Sequence, residues 1–283
     1  MNTSDIFFRN ALIPPPEEKG EVVKYTRIAI DSKDRDKSLY PYANKYEIKL
    51  SDDINDVISA KLINADIPMS MYLINKYFDT LIVKKNNNNY NIKLEHGDYN
   101  ETELATLITN ALNNQFGANT FLVSYNSNKD NFTFASIDAF SLLFAESNNS
   151  LDVVLGFDKK TYISNVSLNL SYTHVIQAEY RKNFEHNNCL IMYIDQFDNY
   201  RSPSNEIDRC FAILPSVYQV LNISDTPDLI KVFSPPIPRL AKMVISFLDR
   251  YGNPYDFNNL EHRFEILVKS HKQARKYNQI FSS

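Results

Sequence analysis

The chain has 283 residues, 43% of them hydrophobic, with a formal net charge of -4. That length can bury one large core or two smaller ones, and the near-balanced charge removes any global pull toward nucleic acid or anionic membranes. Only five glycines are present, which argues against a nucleotide-binding enzyme, because phosphate-cradling loops consume glycine.

Eighteen Tyr and eighteen Phe, with no Trp, favour pleated, half-buried surfaces and interfaces. Cys189 and Cys210 make no disulfide framework, so a reducing compartment is expected. The opening MNTSDIFFRNALIPPP lacks a basic run followed by a long apolar one and is not read as a signal peptide. No stretch approaches the roughly 20 apolar residues of a membrane span. The sequons at Asn131 and Asn165 are read as chance in an Asn-rich chain.

Residues 1–24 read as an extended N-terminal arm. Pro14-Pro15-Pro16 favours polyproline II, and the apolar tip Ile6, Phe7 and Phe8 lies upstream of that spacer. Strands follow. Thr26–Ile30 is a short apolar run. Tyr46, Ile48 and Leu50 alternate with charged residues, and Val57–Ile67 places Ile58, Ala60 and Leu62 on one side. Asp79–Lys85 and Tyr90–Glu95 predict a hairpin around a loop of about four residues, Asn86–Asn89. One helix interrupts the strands: Asn100 caps it, Glu103 completes a capping box, and Leu104, Leu107, Ile108, Ala111 and Leu112 form an apolar stripe before Gly117 stops it.

Phe121–Tyr125, Phe132 to Phe134 and Phe140–Phe144 are further strand runs, with a turn at Asn126–Asp130, and Leu151–Leu155 reads as a helical turn ending at Gly156. In the second half Cys189–Ile194, Cys210–Leu214, Ile230–Phe233, Met243–Leu248 and Phe264–Val268 read as strands. Asp195–Asp208, Ser234–Pro238 and Asp249–Phe257 read as links, the last with a turn signal at Gly252. The expected fold is all-β with one or two inserted helices, a jelly-roll-like antiparallel β-sandwich over residues 25–270, ending in a basic tail over 271–283. Two packed sandwiches are the alternative.

The search for chemistry returns little. His186-x-x-Cys189 offers one pair where zinc wants four ligands, so both cysteines are read as structural. Asp31, Asp34 and Asp36 crowd six residues, but positions six and twelve of an EF-hand count hold Asp36 and Tyr42, so the reading is a turn held by Asp-to-backbone hydrogen bonds and an Arg35 ion pair. Asp52 and Asp53 are expected at a strand-to-loop boundary. No nucleophile elbow, Walker loop or His-Glu-x-x-His occurs. The basic cluster Lys269, Lys272, Arg275 and Lys276 is read as a solvated end or protein contact rather than a nucleic-acid site. No catalytic residue, metal site or cofactor is assigned.

Ile30-Asp31-Ser32-Lys33-Asp34-Arg35-Asp36, then Tyr40-Pro41, the strand Lys45–Leu50 and the run Val57–Pro68 form an ordered block. Gly97-Asp98-Tyr99 through Leu104, Leu155-Gly156-Phe157, and Pro235 through Val268 supply later blocks in the same order. Together they resemble minor capsid and penton-type jelly-roll proteins of nucleocytoplasmic large DNA viruses, the giant-virus group. The resemblance implies a non-enzymatic capsid component of a large icosahedral virion, assembled in the host cytoplasm beside other capsid proteins including a major capsid protein. It also implies a homo-oligomer, pentameric if the chain is a vertex penton. On that reading the candidate assembly contacts are Ile6, Phe7, Phe8, Pro14, Pro15 and Pro16 in the arm, and Asp31, Asp34, Arg35 and Asp36 in the acidic loop. The competing reading is a carbohydrate- or receptor-binding sandwich on a virion surface.

Overall fold

A computed structural model describes residues 22–167, 171–215, 221–222 and 230–272. Fifteen strands are named among them, and every ladder between named strands is antiparallel. The fold is the all-β antiparallel sandwich class expected, curled into a half-barrel.

The largest sheet contains β1 (Val23–Asp31), β15 (Arg263–His271), β2 (Lys45–Asp66), β14 (Ile230–Asp249), β11 (Cys189–Ile194) and β12 (Ala212–Pro215) in that spatial order, with β13 (Leu221–Asn222) pairing β2. It encloses one hydrophobic cluster, in which Tyr46, Leu62, Phe197, Phe211, Phe247 and Phe264 are fully buried. A second cluster lies between two four-stranded sheets built from residues 80–177. One sheet is β4 (Asn88–Lys93), β3 (Thr80–Lys85), β7 (Ser141–Leu143) and β8 (Thr161–Ile163). The other is β5 (Phe121–Asn126), β6 (Asn131–Ser136), β10 (His174–Gln177) and β9 (Asn165–Val166). The helix α1 (Glu101–Phe116) packs Leu104, Ala105, Ile108 and Leu112 into this second cluster. Its capping box is formed on both sides, Asn100 accepting from the Glu103 amide at 2.9 Å and Glu103 accepting from the Asn100 amide at 2.9 Å. The short α2 (Asp152–Leu155) ends at Gly156, in the left-handed conformation.

Four local expectations change. The Asn86–Asn89 loop shrinks to two residues: Asn86 and Asn87 take φ of 51° and 62°, and Asn88 pairs with Lys85. Asn tolerates the left-handed region that a two-residue hairpin turn demands. The two strands expected over 45–50 and 57–67 are one strand, β2, so Asp52 and Asp53 lie within it rather than at its end. Ser234–Pro238 is likewise part of β14, accommodated where its register against β2 jumps between Val232 and Ile237, with a cis Ser234–Pro235 bond. Proline cannot donate to a ladder, so it sits at an irregularity. Ile58 does not share a face with Ala60 and Leu62. It is the extra residue of a bulge, because Lys269 pairs with Ser59 and Ser270 with Val57. A second bulge at Ile63 restores the parity that buries Ala65, so Val57, Ala60, Leu62 and Ala65 all face the core despite irregular spacing.

These irregularities bend β2. Its upper half pairs with β15 from Val57 to Asp66, and its lower half pairs with β14. Within the lower half the β14 register skips from Ile54 to Lys49, and at the junction of the halves Asp56 adopts φ 53°. Bulges increase local twist and curvature. The lower half of β2 and β1 thus come to line one groove.

Candidate assembly interface

The charged motif at residues 31–36 is a structural clamp. After β1, Ser32–Asp34 forms one turn of 3-10 helix, capped by the Asp31 carboxylate accepting from the Lys33 amide at 3.0 Å. The turn drives the Arg35 side chain inward until it is 8% exposed. A buried guanidinium needs partners for its fixed fork of donors. Nε donates to the Tyr40 carbonyl at 2.9 Å, Nη2 to the Pro41 carbonyl at 3.1 Å, and Nη1 to the Ser32 carbonyl at 2.7 Å and to the Glu261 carboxylate.

Glu261 also accepts from Ser32 Oγ at 2.6 Å and pairs with Lys37 at 2.9 Å. Burial alone would raise its pKa, but these hydrogen bonds and the Arg35 charge outweigh burial and hold it at about 2. Beside it, Ser32 and His262 exchange hydrogen bonds: the Ser32 amide donates to the His262 carbonyl, and the His262 amide donates to Ser32 Oγ, both at 2.8 Å. The His262 ring lies among Phe247, Phe257 and Phe264, and its Nε2 meets Tyr46 Oη at 2.9 Å. Desolvation pushes this imidazole down to about 4. The clamp thus ties the end of β1 to the start of β15 and to the lower half of β2 through Tyr46.

Above the clamp lies a groove of ≈ 760 Å³, lined on one wall by β1 residues within Lys24–Ala29 and on the other by Glu47–Ile54 of β2. Asp34, Asp36, Leu39 and Tyr40 close one end. Each wall is a strand edge. β1 pairs only with β15 among the described residues, and the Glu47–Ile54 stretch has β14 alone as a described strand neighbour. The apolar part of the groove comes from Ile28, Ile48, Leu50 and Ile54, with Leu39 70% exposed at the mouth. Thr26 Oγ1 is buried without a hydrogen-bond partner. Among the wall charges, Glu47 pairs with Lys242 at 2.7 Å and Asp53 with Arg239 at 2.6 Å.

Of the residues singled out from sequence, Asp34 and Asp36 are exposed and line this groove, Asp31 is half-buried at the cap, and Arg35 is turned inward. Ile6, Phe7, Phe8, Pro14, Pro15 and Pro16 lie outside the described residues, as does the basic tail beyond Lys272. Sequence reading missed Glu261, His262 and Tyr46 as the clamp's other half. Their one signal was the Glu-His pair just before a strand, which carries no information about a partner 226 residues away.

Cys210 is buried and Cys189 half-buried, and both thiols have pKa values raised by desolvation. Among the described residues no group of three His, Cys, Asp or Glu side chains is arranged to hold a metal ion, and no helix is long and apolar enough to cross a membrane.

The model of a protein family described as "Family of unknown function (DUF5901)" matches residues 17–207. No curated protein matches the sequence. Among solved structures, the crystal structure of a selenomethionine-labelled mavirus penton protein is similar at 10% identity and a TM-score of 0.42, over 88% of this chain and 100% of that one.

Proposed function

Because the chain belongs to the family of unknown function (DUF5901), whose description assigns no activity, we propose a role from the chain's own surfaces: it is a non-enzymatic structural subunit of a large DNA virus capsid, a minor capsid protein that works through contacts with its neighbours. The observation that carries this reading is the pair of strand edges that, among the described residues, have no strand neighbour and face one another across the groove. An open edge is a row of unpaired backbone donors and acceptors, and proteins that stay monomeric usually blunt or cover such edges. Here the stretch Lys24–Ala29 carries neither proline nor bulge, and the clamp ties the end of β1 to Tyr46 at the start of the other edge.

The ordered sequence blocks support the same reading. They build this framework: the 31–36 block is the clamp, the 57–68 block the bulged half of β2, and the 235–268 block most of β14 and β15. Native mass spectrometry of the full chain, alone and co-expressed with a major capsid protein, tests the proposal. The expected result is a closed homo-oligomer, five copies at a vertex position, that is recovered in purified particles. A chain that stays monomeric and is absent from particles overturns it.

A further inference from the structure

Resting on the capsid reading, we propose that the groove between β1 and the lower half of β2 is a receptor for one added β-strand, and that the strand is the segment Asp5–Ile13 (DIFFRNALI) of a second copy of this chain. The geometry of the groove suits a strand. Strands sit about 4.8 Å apart in a sheet, sheets pack about 10 Å apart and each residue advances about 3.4 Å, so a strand residue occupies about 160 Å³. The ≈ 760 Å³ groove therefore takes about five of the segment's residues, Ile6 to Asn10. Both walls offer backbone edges, so an inserted strand pairs on its two sides and closes the half-barrel.

The segment suits the groove. Ile6 and Phe8 are two residues apart and share a face in a strand, matching Ile28, Ile48 and Leu50. Arg9 falls on the opposite face, and the groove rim carries Asp34, Asp36 and Asp52. Thr26 Oγ1, buried and without a partner, gains an acceptor or donor from the incoming backbone.

The donor is a second copy rather than the same one because of the spacer. To return beside its own β1 the segment has to reverse within residues 14–22, where hairpin loops are ordinarily two to five residues. Three consecutive prolines favour an extended path, about 9 Å at about 3.1 Å per residue, which leads the segment away from β1 rather than straight back along it.

Two measurements on the full chain test this, both in a C189S background. First, T26C protein is mixed with N10C protein and oxidised. The expected product is a disulfide-linked dimer formed only in the mixture. An internal link in the T26C/N10C double variant, with no dimer in the mixture, overturns the second-copy assignment, and no link in either overturns the segment. Second, hydrogen exchange compares the full chain with one lacking residues 1–13. Amides of Lys24–Ala29 and Glu47–Ile54 are expected to exchange at least tenfold more slowly in the full chain. Equal rates overturn the strand receptor. If assembly into particles persists while both signals fail, only the groove assignment falls. If both signals appear while the chain never enters particles, the capsid reading falls and the groove remains a self-association site.

Discussion

Arg35→Ala is the sharpest probe of how the fold is held. The guanidinium is buried and donates to three backbone carbonyls and one carboxylate. Removing one member of a buried ion pair costs about 3–5 kcal/mol when the partner charge is stranded. Glu261 is not stranded, since Ser32 and Lys37 still reach it and its side chain is 31% exposed, so the ionic part falls to about 1 kcal/mol. The carbonyls of Ser32, Tyr40 and Pro41 lose a charged donor, and water can replace only some of it, which adds about 2 kcal/mol. The sum is about 3 kcal/mol, a drop of about 6–12 °C in Tm for a domain of this size. Because the damage lies at the β1–β15 end, urea-dependent hydrogen exchange at β1 and β15 amides is the assay, with circular dichroism reporting the whole chain. Arg35→Lys keeps the charge but loses the fork and is expected to cost about half as much. A solvent-exposed pair is worth about 0–1 kcal/mol. If Arg35→Ala costs less than 1 kcal/mol, the clamp is a surface turn and the reasoning fails.

Three further outcomes are expected. His186 and His262 are both pushed down to about 4 by burial, from an ordinary 6.5, so the unfolded chain takes up a proton at each below pH 6.5 while the folded chain does not until about pH 4. Stability is therefore fully present above pH 6.5 and falls through the 6.5–4 window by up to about 2.7 kcal/mol per pH unit for the two; an unchanged slope of urea midpoint against pH in H186F/H262F refutes this. Gly156→Ala is expected to cost more than 3 kcal/mol and to loosen the 152–181 region in hydrogen exchange, because φ is +81° and a Cβ would sit 2.5 Å from the Tyr180 carbonyl oxygen and 2.6 Å from that of Arg181; near-wild-type stability contradicts the packing described. Asn87→Gly is expected to stabilise the β3–β4 hairpin by about 0.5 kcal/mol, since φ is 62° at the second turn position; a loss of stability in thermal melts shows that the Asn87 side chain, not its backbone, matters there.

Local chemistry was legible in the sequence wherever the determinant was short-range. The Asn100–Glu103 box, the α1 stripe, the Gly156 stop and the alternation of Tyr46, Ile48 and Leu50 read directly, because capping, helical periodicity and strand pleat act within four residues. The all-β class followed from repeated short strand runs interrupted by one helix. The bend in β2 was not legible. Bulges at Ile58 and Ile63 are set by which residues of β15 lie opposite, and β15 is about 200 residues downstream, so period-two reading assigned Ile58 to the wrong face. The prolines of β14 misled for a related reason, since only a neighbouring strand decides whether a Pro falls at an irregularity.

The groove belongs wholly to the tertiary structure. From sequence, Asp31–Asp36 was a crowded acidic turn with an Arg35 ion pair, and that much is intrinsic to Asp-rich turns. That the partner is Glu261, that the guanidinium is buried, and that Asp34 and Asp36 stand at the end of a cleft between two open edges all follow from the curl of one sheet. The sequence by itself determined that strands form and which faces are apolar. Which strand edges are left without a neighbour depends on how the sheet closes, and closure is a property of long-range register that no local pattern encodes.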